Sequence, residues 1–172
     1  TEHGKVTASP EIPADKLMPK DTVITFTATA NDGYKVGKWT VTGSVLEAGT
    51  GADGSETAKV KITADTTVSV SFTKKTYAVN FSVAGTGGTL KAEGDGITQP
   101  ATSPITVEHG KEVIFTAKAN DGYRVNTWVI SPSSAILSGG EKGSETAKVK
   151  ITADTQVSVN FELIPEEVVL TL

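Results

Sequence analysis

Few side chains in this sequence have the type and spacing that chemistry needs. The two histidines, His3 and His109, each sit in a Glu-His-Gly-Lys tetrapeptide. A general base or a metal ligand needs a second imidazole or a carboxylate at a set spacing, and neither tetrapeptide supplies one. Cysteine is absent, which removes disulfides, thiolate metal sites and cysteine nucleophiles together. Asp32 and Asp121 lie in Asn-Asp-Gly-Tyr segments. Those read as turns, because a calcium loop needs oxygens at several alternate positions. Gly85-Thr86-Gly87-Gly88 leads into a strand pattern, so no helix N-terminus follows to receive a phosphate. The expectation is a chain with no catalytic residue, no metal and no cofactor.

The aromatic residues are the remaining candidates for a site. Eight of the ten form pairs 89 residues apart: Phe26/Phe115, Tyr34/Tyr123, Trp39/Trp128 and Phe72/Phe161. One reading makes them the core of two small domains, where aromatic burial supplies much of the stability. The other sets Tyr34, Trp39, Tyr123 and Trp128 on an exposed platform for a sugar ring or a protein ligand. Trp39 shares its parity with Val41, and Trp128 with Ile130, which favours the core. Lys59, Lys61, Lys148 and Lys150 form alternating basic rows. Such rows solvate a face or protect a sheet edge, and a contact with an anionic polymer is the sharper alternative.

Positioning these residues falls to an internal repeat. Asn31-Asp32-Gly33-Tyr34 recurs as Asn120-Asp121-Gly122-Tyr123, and the run Gly54 to Thr66 recurs unbroken from Gly143 to Thr155, both at an offset of 89. From residue 31 to 72, 25 of 42 positions are identical without a gap. Upstream, Gly4-Lys5-Val6-Thr7-Ala8 sits on Gly88-Thr89-Leu90-Lys91-Ala92 at an offset of 84, so the second copy carries 5 extra residues near Gly94 to Ser103. Tyr77 to Val83 has no counterpart in the first copy. Val168, Leu170 and Leu172, however, fall 89 after Val79, Phe81 and Val83. The boundaries expected are 1–75 for a first module lacking its first strand and 76–163 for a second. Residues 164–172 are a linker or the first strand of a following module. The Thr1-Glu2-His3-Gly4 start suggests a piece of a longer protein.

Within each copy the apolar residues alternate with period two, the mark of half-buried strands. Ile24, Phe26, Ala28 and Ala30 face one way, and Val113, Phe115, Ala117 and Ala119 repeat the pattern. Asp65-Thr66 and Asp154-Thr155 are expected at hairpin turns. The parity slips between Val36 and Trp39, and again between Val125 and Trp128, which predicts a β-bulge near Gly37-Lys38 and Asn126-Thr127. Pro13 to Pro19 has room for one helical turn. Each copy should hold five or six strands. A 37% apolar content suits a folded chain, and no apolar run is long enough for a membrane span. Net charge is −4 with scattered basic residues, which argues against nucleic acid as a partner.

Gly4 to Pro10, Val23 to Ala30, Asp32-Gly33-Tyr34 through Trp39, and the closing run Thr63 to Phe72 together resemble the divergent internalin-type B-repeat of bacterial surface proteins. The resemblance holds for both copies. It departs at Val36 and Val125, where the family usually has Phe, and at Lys38 and Thr127, where it usually has Gly. The resemblance implies an all-β or β-rich α+β fold of two tandem small domains, β-grasp-like, with an Ig-like β-sandwich as the alternative. It also implies an extracellular or cell-surface location and a non-enzymatic role as spacer, stalk or adhesion segment. The partners are then neighbouring repeats of the same chain. A glycan or host surface protein is the alternative, and membrane insertion is not expected.

Overall fold

The computed structural model describes residues 2–167. It divides into two compact units, Thr1–Lys75 and Thr76–Leu172. The tail positions Val168, Leu170 and Leu172 lie outside the described residues.

Unit 1 contains β1 (Gly4–Ser9), β2 (Val23–Ala30), β3 (Tyr34–Thr42), β4 (Val45–Leu46), β5 (Thr57–Lys61) and β6 (Thr67–Lys74). One sheet has the order β1-β2-β5-β4, and β3 pairs with β6 in a second. Unit 2 contains β7 (Thr76–Ala84), β8 (Gly88–Glu93), β9 (Ile105–Glu108), β10 (Glu112–Ala119), β11 (Tyr123–Ser131), β12 (Ile136–Gly139), β13 (Thr146–Lys150) and β14 (Thr155–Leu163). Its sheets have the orders β12-β13-β10-β8 and β11-β14-β7-β9. β14 and β7 run parallel, whereas the other pairs are antiparallel.

Alternation dictates this layering. On β10, Val113, Phe115 and Ala117 are buried, while Glu112, Ile114 and Lys118 face water. A sheet with one apolar face must cover it with a second layer. In unit 2, Val79, Val107 and Val157 from one sheet pack in one cluster with Ala92, Val113, Phe115, Ala147 and Val149 from the other. In unit 1, Ile24, Phe26, Ala28, Ala58 and Val60 enclose a core with Val36 and Trp39.

The β-rich character that the alternation indicated is present, and of the two classes expected the structure is nearly all β, but several finer expectations change. A β-grasp lays a helix across a sheet. Among the described residues the only helical segment is the three-residue 3₁₀ turn Ser133–Ala135, and the second layer is a sheet. Unit 2 is therefore two sheets packed face to face over one core. Asp65-Thr66 joins β5 to β6, and Asp154-Thr155 joins β13 to β14, strands of different sheets. These are arches over the core and not hairpins. Pro13 to Pro19 holds a single turn closed by Lys16 N–H on the Pro13 carbonyl at 2.9 Å, with no helix. Unit 2 has eight strands, because β7 and β9 form an edge that unit 1 lacks among the described residues. The bulges fall where expected. Val36 faces Phe72 while Trp39 faces Val70, and Val125 faces Phe161 while Trp128 faces Val159. One extra residue is absorbed each time.

Candidate functional site

The bulge decides where the indoles go. By inserting one residue after Val36, it keeps both Val36 and Trp39 on the core side of β3. Trp39 is 3% exposed, lies 6.4 Å from Phe26 in a tilted ring pair, and donates its indole N–H to the Ser55 carbonyl at 2.8 Å. Trp128 donates in the same way to the Ser144 carbonyl at 2.8 Å and is half-buried. A buried indole is stable only with its N–H satisfied, and the repeated Gly-Ser-Glu-Thr loop supplies the acceptor in both units.

The tyrosines are placed differently. Tyr34 is half-buried and stacks on His3, with ring centroids 4.1 Å apart and planes 7° apart. Tyr123 is half-buried and packs with Trp128 against Val125, Val159 and Phe161. Unit 2 thus brings its Tyr–Trp pair to one apolar cluster. In unit 1, Trp39 is in the core while Tyr34 lies against His3. A tryptophan emission spectrum checks this directly. Trp39→Phe should remove a blue-shifted component that iodide barely quenches, leaving the more accessible Trp128. Equal, ready quenching of both indoles would contradict the burial of Trp39.

The polar candidates are dispersed. His109 lies beside Tyr77, whose hydroxyl is 3.4 Å from Nδ1. His3 belongs to the other unit. Among the described residues, no three His, Asp or Glu side chains are grouped to hold a metal. The lysine rows lie on the outer faces of β5 and β13, opposite the buried Ala58, Val60, Ala147 and Val149. Lys61 pairs with Asp21 at 3.1 Å and Lys148 with Glu112 at 2.6 Å. Asp95 accepts a hydrogen bond from Lys111, and this bond together with the lysine charge holds its carboxyl below the ordinary range. The same contact raises Lys111. Any stability from this exposed pair is present above the ordinary carboxylate pKa and is lost as pH falls through the lowered one.

One side chain with a structural role is not singled out by the sequence. Asp154 Oδ1 accepts the backbone N–H of Ala78 at 2.9 Å, which fixes the start of β7 against the arch. The repeat of Thr-Ala-Asp-Thr in both copies was the available signal, but only the three-dimensional arch shows what the carboxylate meets.

The family model for the divergent InlB B-repeat domain matches residues 1–76 and again residues 80–165. No curated protein and no solved structure matches the chain.

Proposed function

The chain belongs to the divergent InlB B-repeat domain family, with two copies in tandem, and from that premise we propose that it is a non-enzymatic spacer or stalk segment of a bacterial cell-surface protein. The observation that carries the proposal is the parallel pairing of β7 with β14, in register from Val79 opposite Thr155 to Ala84 opposite Asn160. Because the first and last strands of the repeat run the same way, the chain enters at one end and leaves at the other. Nine residues of β14 at about 3.3 Å each make this span roughly 30 Å. An antiparallel pair would return the chain to its starting end, and tandem copies would add little length.

Both copies also release the chain alike. Lys75 N–H bonds the Gly33 carbonyl at 2.8 Å, and Ile164 N–H bonds the Gly122 carbonyl at 2.8 Å. The partners in this reading are neighbouring repeat modules, with an adhesive contact to a glycan or host protein as its variant. Among the described residues no helix is long and apolar enough to cross a membrane. Small-angle scattering on chains lengthened by further copies of residues 76–163 tests the proposal. Each copy should extend the maximum dimension by roughly 30 Å. A dimension that stays constant as copies are added would reject the spacer.

A further inference from the structure

The outer face of one sheet of unit 2 carries a field of neutral hydrogen-bonding side chains. Strand alternation points Asn80 and Ser82 of β7, Gln156 and Ser158 of β14, and Val129 and Ser131 of β11 away from the core. The register sets them in two rows, Asn80–Gln156–Ser131 and Ser82–Ser158–Val129. With strands about 4.8 Å apart and alternate residues about 6.8 Å apart, the field measures roughly 10 Å by 7 Å. It is concave, a cleft of ≈ 420 Å³. One wall comes from Ser103. Pairing of β9 with β7 ends at Val79 opposite Ile105, and beyond it the Ser103 hydroxyl accepts the Phe81 N–H at 2.8 Å. Ser103 closes the segment Gly94 to Ser103, in which the second copy is longer than the first. Among the described residues no charged side chain lines the cleft, and the side chains of Asn80, Ser82, Ser131, Gln156 and Ser158 are not taken up by other protein groups.

We propose that this cleft binds a neutral saccharide, with Asn80 and Gln156 as the residues that read its hydroxyl groups. Each amide offers two donors and a carbonyl acceptor, and each serine hydroxyl both donates and accepts. A pyranose ring presents hydroxyls that also do both, together with a C–H face. Val129, 65% exposed, is the apolar contact for that face. Other ligand classes fit less well. An ionic group would find no counter-charge in the cleft, and an apolar molecule would cover both amides unpaired at the cost of their desolvation. The footprint is that of one or two sugar rings, and the volume falls in the range of small-molecule sites. None of Tyr34, Trp39, Tyr123 or Trp128 lines the cleft, so it is separate from the aromatic candidates. The equivalent positions of unit 1 are Thr40, Thr42, Thr67 and Ser69, hydroxyls without an amide, which assigns the site to unit 2. The inference gives the adhesive variant of the proposed function a place and a ligand class, and rests on that variant for its purpose.

Titration of the full, isotope-labelled chain followed by amide NMR tests the proposal. Maltotetraose, cellotetraose and mannotetraose are the neutral probes and tetragalacturonate is the charged one. At least one neutral probe should shift the backbone amide signals of Asn80, Ser82, Gln156 and Ser158 saturably. The dissociation constant should be roughly 1 mM, as a few neutral hydrogen bonds in an open cleft provide. Signals of Thr40, Thr42, Thr67 and Ser69 should stay in place. Asn80→Ala and Gln156→Ala should each weaken binding about 5-fold. Both side chains face outward, so tryptophan emission should not change in either variant. No saturable shift with any neutral probe up to its solubility limit would overturn the proposal. So would a preference for tetragalacturonate, equal shifts in both units, or unchanged affinity in both variants. Shifts at these amides that follow protein concentration without sugar would assign the face to contact between copies of the chain and overturn it equally. Scattering from lengthened chains reads length and not binding, so the spacer reading and this one fail separately.

Discussion

Replacing Phe115 by alanine is expected to destabilise unit 2 by about 3–5 kcal/mol. Phe115 is fully buried on β10, a strand held on both sides by β8 and β13. Its ring meets that of Phe81 from the opposite sheet. Neighbours fixed in two hydrogen-bonded sheets cannot collapse far into the space left behind, which is the condition for a cost at the upper end. In a domain of this size the loss corresponds to at least roughly 12 °C in Tm. The equivalent change Phe26→Ala should cost less. Phe26 lines an open groove of ≈ 610 Å³ together with Met18, Ile24, Ile62 and Val68, and Met18 can move into the vacated space. Thermal unfolding followed through Trp39 for unit 1 and Trp128 for unit 2 separates the two effects. Equal losses at Phe26 and Phe115 would show that the groove is closed in solution.

Gly43→Ala should be the most damaging change at a turn. Gly43 has φ +86, and a methyl group there would run into the backbone carbonyl of Asp65 on the arch. The left-handed conformation costs a residue with a Cβ about 1–2 kcal/mol. The clash adds about 1–3 kcal/mol, because a backbone carbonyl held in an arch cannot rotate away as a side chain can. Gly54→Ala is the internal control. Its φ of +81 is similar, but nothing lies within 4 Å of the added carbon, so only the backbone cost should appear. Denaturant unfolding of the two variants gives the difference. If Gly43→Ala were no worse than Gly54→Ala, the close approach of the arch to the β3–β4 turn would be wrong.

Matched positions differ in burial between the units: Ile151, Val157, Val159 and Phe161 are 0–6% exposed, whereas Ile62, Val68, Val70 and Phe72 are half-buried.

Much of this was legible from local order. Period-two alternation marked Ile24, Phe26 and Ala28, and Val113, Phe115 and Ala117, as core faces, and all are 7% exposed or less. The parity slip located both bulges, because a bulge is a change of phase along one strand and needs no knowledge of its partner. The parity of Trp39 likewise pointed to its burial. The arch acceptor Asp154, the pairing of Lys61 with Asp21 and the open groove were not legible. Each depends on residues far apart in the chain.

Linear order alone carried the repeat, read from identities 89 residues apart, together with the β-rich character, the apolar face of each strand and the points where strands slip phase. The last three follow from side chains a few positions apart, which the alternating geometry of a strand places on one side or the other. Which strands are neighbours emerged with the folded arrangement. It made the Asp65 and Asp154 turns into arches between sheets, set β7 parallel to β14, and left β6 without a second partner among the described residues. Backbone N–H and C=O groups are the same in every residue, so alternation names the buried face of a strand but not its neighbour. That choice is made when the two apolar faces close on one another across the whole unit.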